Sequence, residues 1–225
     1  MKLERPGADL RHVDTWLFDL DNTLYPPDTG FRAAIEAKIT DYTQRLTGLA
    51  RPDAYALQKR YLADHGLTLR GLMIHHGVDP DDFHRQFEDL SLECLGHDGE
   101  LAAALARLPG RRLIFTNADA GHAARVLRRL ALDTLFDGVF HIGDAAFIPK
   151  PRPEAFERLF AAHAIAPAAT CFFEDLERNL APAADLGMTT VLVRAPPDHR
   201  CAPFVDHLAT DLAAFLAAAR VKESP

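Results

Sequence analysis

Two apolar runs in this chain end in paired acids, and that constrains the fold more than any other feature. The first reads Thr15-Trp16-Leu17-Phe18-Asp19-Leu20-Asp21-Asn22-Thr23-Leu24, and the second reads Phe172-Phe173-Glu174-Asp175-Leu176-Glu177-Arg178-Asn179. Short apolar runs bounded by turn residues read as buried strands, here over residues 13–18 and 170–173. Unpaired carboxylates repel one another and resist leaving water. Two such strand ends converging in one fold therefore require a cation between them. Magnesium takes hard oxygen ligands, one or two carboxylates together with substrate phosphate. The pattern points to phosphoryl transfer with one carboxylate as nucleophile. Helix capping by the acids is the plainer alternative and accounts for either end taken alone.

The segment between the runs divides into two kinds of pattern. Phe31, Ile35, Ile39, Tyr42 and Leu46 recur at helical steps. Further helices are predicted over residues 55–63 and 67–76, and another from Asp79-Pro80-Asp81 with Phe83, Phe87 and Leu90 on its apolar face. No strand is predicted between about residues 28 and 95, so this stretch reads as an all-helical insert. Beyond it strands and helices alternate. Strands are predicted at 112–115, 138–142, 170–173 and 189–193, with helices at 101–108, 122–132, 153–163, 176–186 and 206–219. Such alternation implies parallel βαβ units, which gather ligands beyond the carboxyl ends of their strands. The predicted organisation is a core of residues 1–27 and 96–225 with the insert at 28–95.

Composition narrows the partners. The chain has 225 residues and a net charge of −7, which disfavours nonspecific nucleic-acid binding. Cys94, Cys171 and Cys201 form no CxxC pair and fit reduced thiols of a cytoplasmic protein. Residues 1–13 are charged, with no apolar signal core, and no run approaches a membrane span.

Two more strand ends carry suitable chemistry. Ile114-Phe115-Thr116-Asn117-Ala118 offers a hydroxyl and nearby amides for phosphate oxygens, although Thr and Asn are also ordinary turn formers. Phe147-Ile148-Pro149-Lys150-Pro151-Arg152-Pro153 holds a lysine in a proline-stiffened stretch, where it can neutralise a carboxylate and a phosphate oxygen or simply face solvent.

These four segments, in this order and each at a predicted strand end, resemble the four motifs of the haloacid dehalogenase superfamily. The resemblance covers nearly the whole chain and implies a Rossmann-like parallel-sheet core of the α/β class with an inserted helical cap. It implies that Asp19 is the nucleophile and Asp21 the acid and base. Mg2+ would be held by Asp19, the main-chain carbonyl of Asp21 and Asp175, with Glu174 behind them. Thr116, Asn117 and Lys150 would serve the phosphate. Many relatives carry Asp where this chain has Asn179, which can still orient water or a neighbouring acid at the outer shell.

Within the superfamily, Phe18-Asp19-Leu20-Asp21-Asn22-Thr23-Leu24-Tyr25-Pro26, Thr68-Leu69-Arg70-Gly71-Leu72-Met73-Ile74-His75-His76-Gly77 and Glu174-Asp175-Leu176-Glu177-Arg178-Asn179-Leu180 resemble pyrimidine 5′-nucleotidases. Relatives have Tyr-Gly-Thr-Thr where this chain reads His65-Gly66-Leu67-Thr68. The resemblance implies a small phosphorylated metabolite, a pyrimidine nucleotide, as partner. Arg70 is the candidate for reading the base. His75 and His76 point to different sides of a helix and are expected to pack within the cap or face solvent. A phosphomutase and a non-catalytic binding module on the same scaffold are the alternatives. A dehalogenase is disfavoured by Asp21, since those relatives lack the second acid.

Overall fold

The computed structural model describes residues 7–194 and 199–222, so the outermost parts of the predicted core, residues 1–6 and 223–225, lie outside the described residues. Six strands form one parallel sheet: β1 (Thr15–Phe18), β2 (Arg111–Phe115), β3 (Gly138–Phe140), β4 (Thr170–Glu174), β5 (Thr189–Val193) and β6 (His207–Ala209). Their spatial order is β3-β2-β1-β4-β5-β6, which puts β1 between β2 and β4. Successive connections leave β1 toward β3 on one side and reach β6 on the other. The reversal beside β1 is where such sheets open a ligand crevice.

A parallel sheet covered on both faces needs apolar side chains on both. Trp16 and Phe18 of β1 join one core with Ile114, Phe173 and Val191, while Leu17 joins the opposite core with Leu113, Phe115 and Phe172. Phe18 stacks on Phe173 at 4.6 Å with the rings 12° apart. Burying each such ring is worth about 1.5–3 kcal/mol.

Helices α1 (Phe31–Thr47), α2 (Arg51–His65), α3 (Thr68–His76) and α4 (Pro80–Arg85) all lie between β1 and β2, with no strand among them. Gly71 lets α3 approach α2, because a Cβ built there would stand 2.4 Å from the Tyr61 ring. The remaining helices are α5 (Gly99–Ala106), α6 (Ala120–Leu130), α7 (Pro153–His163), α8 (Glu177–Asp185) and α9 (Leu212–Ala218). Asp98, Asp119 and Asp211 cap α5, α6 and α9 through their side chains. Among the described residues no helix is long and apolar enough to cross a membrane.

Two expectations are corrected. Residues 206–219 are not one helix: β6 extends the sheet by pairing with β5, and only α9 is helical. An edge strand of three residues is too short to show a two-residue period. The fourth helix of the insert ends at Arg85, so Phe87 and Leu90 are buried from a turn rather than from its face.

Candidate active site

The carboxyl ends of β1, β2 and β4 converge on one cavity of about 270 Å³, lined by Asp19, Asp21, Thr116, Lys150, Glu174, Asp175 and Asn179 together with residues of α1 to α4. Asp19 follows β1 directly and stays in register with β4, its N–H donating to the Phe173 carbonyl at 2.9 Å. Its side chain is buried and doubly held. Lys150 Nζ donates to Oδ1 at 2.7 Å, and Thr23 Oγ1 reaches Oδ2 at 3.3 Å.

Lys150 is buried with all three ammonium protons engaged, on Asp19 Oδ1, on Glu174 Oε2 at 2.8 Å and on the Phe115 carbonyl at 2.7 Å. Burial alone would lower its pKa, but the two carboxylates outweigh that and raise it. In this arrangement Lys150 orients Asp19 and offsets its charge.

Asp19, Glu174 and Asp175 each present a carboxylate oxygen within 4.8 Å of the others. Burial and then Glu174 push the Asp19 carboxyl well up, Lys150 opposing. Burial, Glu174 and Asp19 likewise push Asp175 up. Three crowded hard-oxygen donors that resist ionising together form a donor set for a divalent cation. Two amide oxygens on the same cavity, Asn22 Oδ1 and Asn179 Oδ1, are buried without a hydrogen-bond partner among the described residues. Buried acceptors of this kind are normally satisfied, so they too fit a hydrated cation. Asn179 lines the cavity that holds the acids.

Asp21 has different company. Tyr25 Oη donates to its Oδ1 at 2.6 Å and His122 Nε2 lies 2.8 Å from the same atom. Burial raises the Asp21 pKa, but His122 and Tyr25 outweigh it and the net shift is downward. Asn22 adopts a left-handed φ of 63°, which Asn tolerates, and so turns the chain immediately after Asp21. Arg194 fastens that turn through hydrogen bonds to the Asn22 and Thr23 carbonyls at 3.1 and 3.4 Å.

Thr116 is buried on the cavity wall, its Oγ1 accepting from Ala118 N–H at 3.0 Å. Asn117 lines the same cavity, but its side-chain amide grips the Lys150 backbone, Oδ1 accepting from N–H at 2.9 Å and Nδ2 donating to the carbonyl at 3.3 Å. That grip anchors the lysine loop.

Arg70 has a backbone partner. Its Nη1 donates to the Phe147 carbonyl at 2.8 Å, tying α3 to the core, and the residue does not line the cavity. Thr68 and Leu69 of the same segment do, with Arg32, Gln58, Phe83, His84 and Phe87. His75 and His76 are exposed; His76 Nε2 meets Tyr61 Oη at 2.9 Å and the His75 ring stacks on Tyr61.

Sequence reasoning missed the roles of Tyr25, His122 and Arg194. Tyr25 stands inside a quoted motif, four residues after Asp21. His122 lies 101 residues from its partner, and Arg194 172 and 171 residues from the carbonyls it holds, so no local pattern marks either.

A family model described as haloacid dehalogenase-like hydrolase matches residues 13–187. Phosphate metabolism protein 8 of Saccharomyces cerevisiae is 28% identical over 193 residues, covering 79% of this chain and 60% of the yeast protein. The chain therefore spans about three fifths of that relative's length. Among solved structures, CbbY from Rhodobacter sphaeroides in complex with phosphate matches with a TM-score of 0.63 at 19% identity, covering 91% of this chain and 99% of that one. YfnB from Bacillus subtilis, bound to magnesium, gives 0.59 at 18% identity, covering 91% and 97%. L-2-haloacid dehalogenase from Xanthobacter autotrophicus gives 0.58 at 17% identity, covering 91% and 97%. At such identities the structures share the fold.

Proposed function

The chain belongs to the haloacid dehalogenase-like hydrolase family, and we propose that it is a magnesium-dependent phosphomonoester hydrolase whose phosphoryl group passes through Asp19. One observation carries this reading. Two aspartates share the cavity with different partners, Asp19 beside the Lys150 ammonium and Asp21 beside the Tyr25 and His122 donors. Environments that differ in this way assign different roles to chemically identical groups.

Asp19, oriented by Lys150 and with its charge partly offset by that ammonium, attacks phosphorus through a carboxylate oxygen. The bond from phosphorus to the ester oxygen breaks, and Asp21 delivers a proton to that oxygen as the alcohol leaves. In the second step Asp21 takes a proton from water, whose oxygen attacks phosphorus. Inorganic phosphate leaves and the Asp19 carboxylate is restored. Thr116 and main-chain amides at the end of β2 stabilise charge on the phosphoryl oxygens. Asp19, the Asp21 main-chain carbonyl and Asp175 would hold magnesium, with Glu174 and Asn179 behind, and the cation would offset the negative charge gathered there.

We take residues 28–95 as a cap over this site and the substrate as a pyrimidine nucleoside 5′-monophosphate. The cavity suits a small ester, and the aromatic rings of Phe83 and Phe87 on its wall suit a planar base. A cytoplasmic location, with Cys94, Cys171 and Cys201 free, belongs to the same proposal. The test is a panel of UMP, CMP, AMP, GMP and sugar phosphates assayed with magnesium and after chelation. Higher kcat/KM on UMP and CMP, lost on chelation, supports the reading. Equal efficiency on purine nucleotides, or preference for sugar phosphates, removes the nucleotidase assignment. Activity unchanged by rigorous metal removal removes the metal-assisted scheme.

A further inference from the structure

Both hydrogen bonds that Asp21 receives from side chains fall on a single oxygen. Tyr25 Oη and His122 Nε2 meet at Oδ1, at 2.6 and 2.8 Å. Oδ1 accepts from both, so a proton carried by Asp21 sits on Oδ2. Neither donates to Oδ2, in a residue that lines the cavity.

The two donors come from different pieces of chain and are backed by one ring. Tyr25 follows β1. His122 stands in the first turn of α6, where Asp119 Oδ1 accepts from its N–H at 3.0 Å. Phe31, the first residue of α1, stacks on the His122 imidazole at 5.7 Å and 16° and meets the Tyr25 ring edge-on at 5.9 Å and 71°. Phe31 and Tyr25 are almost wholly buried, and His122 is 8% exposed. Charged hydrogen bonds made in such surroundings fix direction as well as energy.

We infer that Tyr25 and His122 are positioning residues that lock Asp21 by Oδ1, leaving Oδ2 to carry the proton to and from the reacting oxygens, with Phe31 holding both donors in place. This inference rests on the phosphomonoesterase reading. A carboxylate free to rotate would divide its time between two oxygens and several directions, and proton transfer demands one geometry within hydrogen-bond reach. Because Phe31 begins α1, the orientation of the proton carrier also depends on where that helix sits.

Leaving-group dependence tests the assignment. UMP expels an alkoxide that needs a proton, whereas p-nitrophenyl phosphate expels a stabilised phenolate that does not. The quantity to compare is kcat/KM, which covers only the steps through loss of the first alcohol. Tyr25→Phe and His122→Ala are expected to lose about tenfold more on UMP than on p-nitrophenyl phosphate, less than a positioned acid contributes outright, because Asp21 itself remains. His122→Gln, which keeps an N–H donor, is expected to recover part of the UMP rate. Equal losses on the two esters in Tyr25→Phe, or no loss on either, would overturn the inference. Tyr25→Phe removes a single oxygen and keeps the ring, so it remains informative where His122→Ala fails to fold. Wild-type protein inert toward both esters with magnesium would overturn the phosphomonoesterase reading itself, and this inference with it.

Discussion

The Nζ atom of Lys150 lies 2.7 Å from Oδ1 of Asp19, a buried contact between residues 131 positions apart. The same ammonium holds Glu174, so one positive charge stands between two carboxylates that would otherwise face each other in the protein interior. Removing one partner of a buried ionic set costs far more than the set contributes.

Lys150→Met is therefore expected to destabilise the protein by about 3–5 kcal/mol at neutral pH. The loss should shrink at pH 5, where Asp19, its pKa raised by burial, takes up a proton. Urea unfolding at the two pH values measures both figures, and a loss below 1 kcal/mol at neutral pH would contradict a buried ionic role.

Asp19→Asn should reduce turnover by about a thousandfold or more while the fold persists, because the nucleophilic charge disappears and an amide oxygen still accepts from Lys150. Thermal melting without added cation is expected to show equal or higher stability, since one of three crowded carboxylates is gone. Residual activity near wild type would contradict the role of Asp19.

The acid cluster makes stability depend on pH with a defined sign. Asp19 and Asp175 are raised above their unfolded values by burial and mutual repulsion. Between the unfolded and the raised folded values, the folded state binds more protons than the unfolded state. The stabilising contribution is therefore complete below the ordinary carboxylate range and is lost as pH rises toward the raised values. Without cation, the melting temperature should fall over that window relative to an Asp175→Asn variant. Magnesium should restore it increasingly at higher pH and release protons on binding. Calorimetry in two buffers of different ionisation enthalpy measures the release; none would mean the cation binds elsewhere.

Asn179→Asp adds a charge beside a cavity that already holds three carboxylates. Magnesium affinity is expected to rise several-fold and cation-free stability to fall by about 1 kcal/mol, as a buried carboxylate without a partner demands. Titration calorimetry paired with thermal melting checks both directions. An unchanged affinity would leave Asn179 a structural residue.

Arg70→Ala removes the tie between α3 and the Phe147 carbonyl. The expected effect is a loss of about 1 kcal/mol in stability and a rise in KM shared by all substrates. A selective change in preference between pyrimidine and purine nucleotides would restore Arg70 as a reader of the base.

Local pattern was enough to place the paired acids at strand ends. Asp19, Asp21, Glu174 and Asp175 stand at the ends of apolar runs, and a strand that enters a parallel sheet must deliver such residues to its carboxyl edge. The helical insert was equally legible, because three- and four-residue spacing is a property of the segment itself. What each side chain touches was not. Lys150 lies beside Asp19 only because the loop before α7 folds back across β2, and His122 meets Asp21 only because α6 begins beside the turn after β1. Arg70, read as a substrate contact from its segment, is committed to a backbone carbonyl 77 residues away. Strand β6 has three residues, and pairing with β5 rather than its own periodicity makes it a strand. Sequence by itself determined the acids, their strand ends and the inserted helices, because those follow from patterns a few residues long. Tertiary structure alone decided which acid is held by an ammonium and which by an imidazole and a phenol, because those partners are set by long-range packing that leaves no local mark.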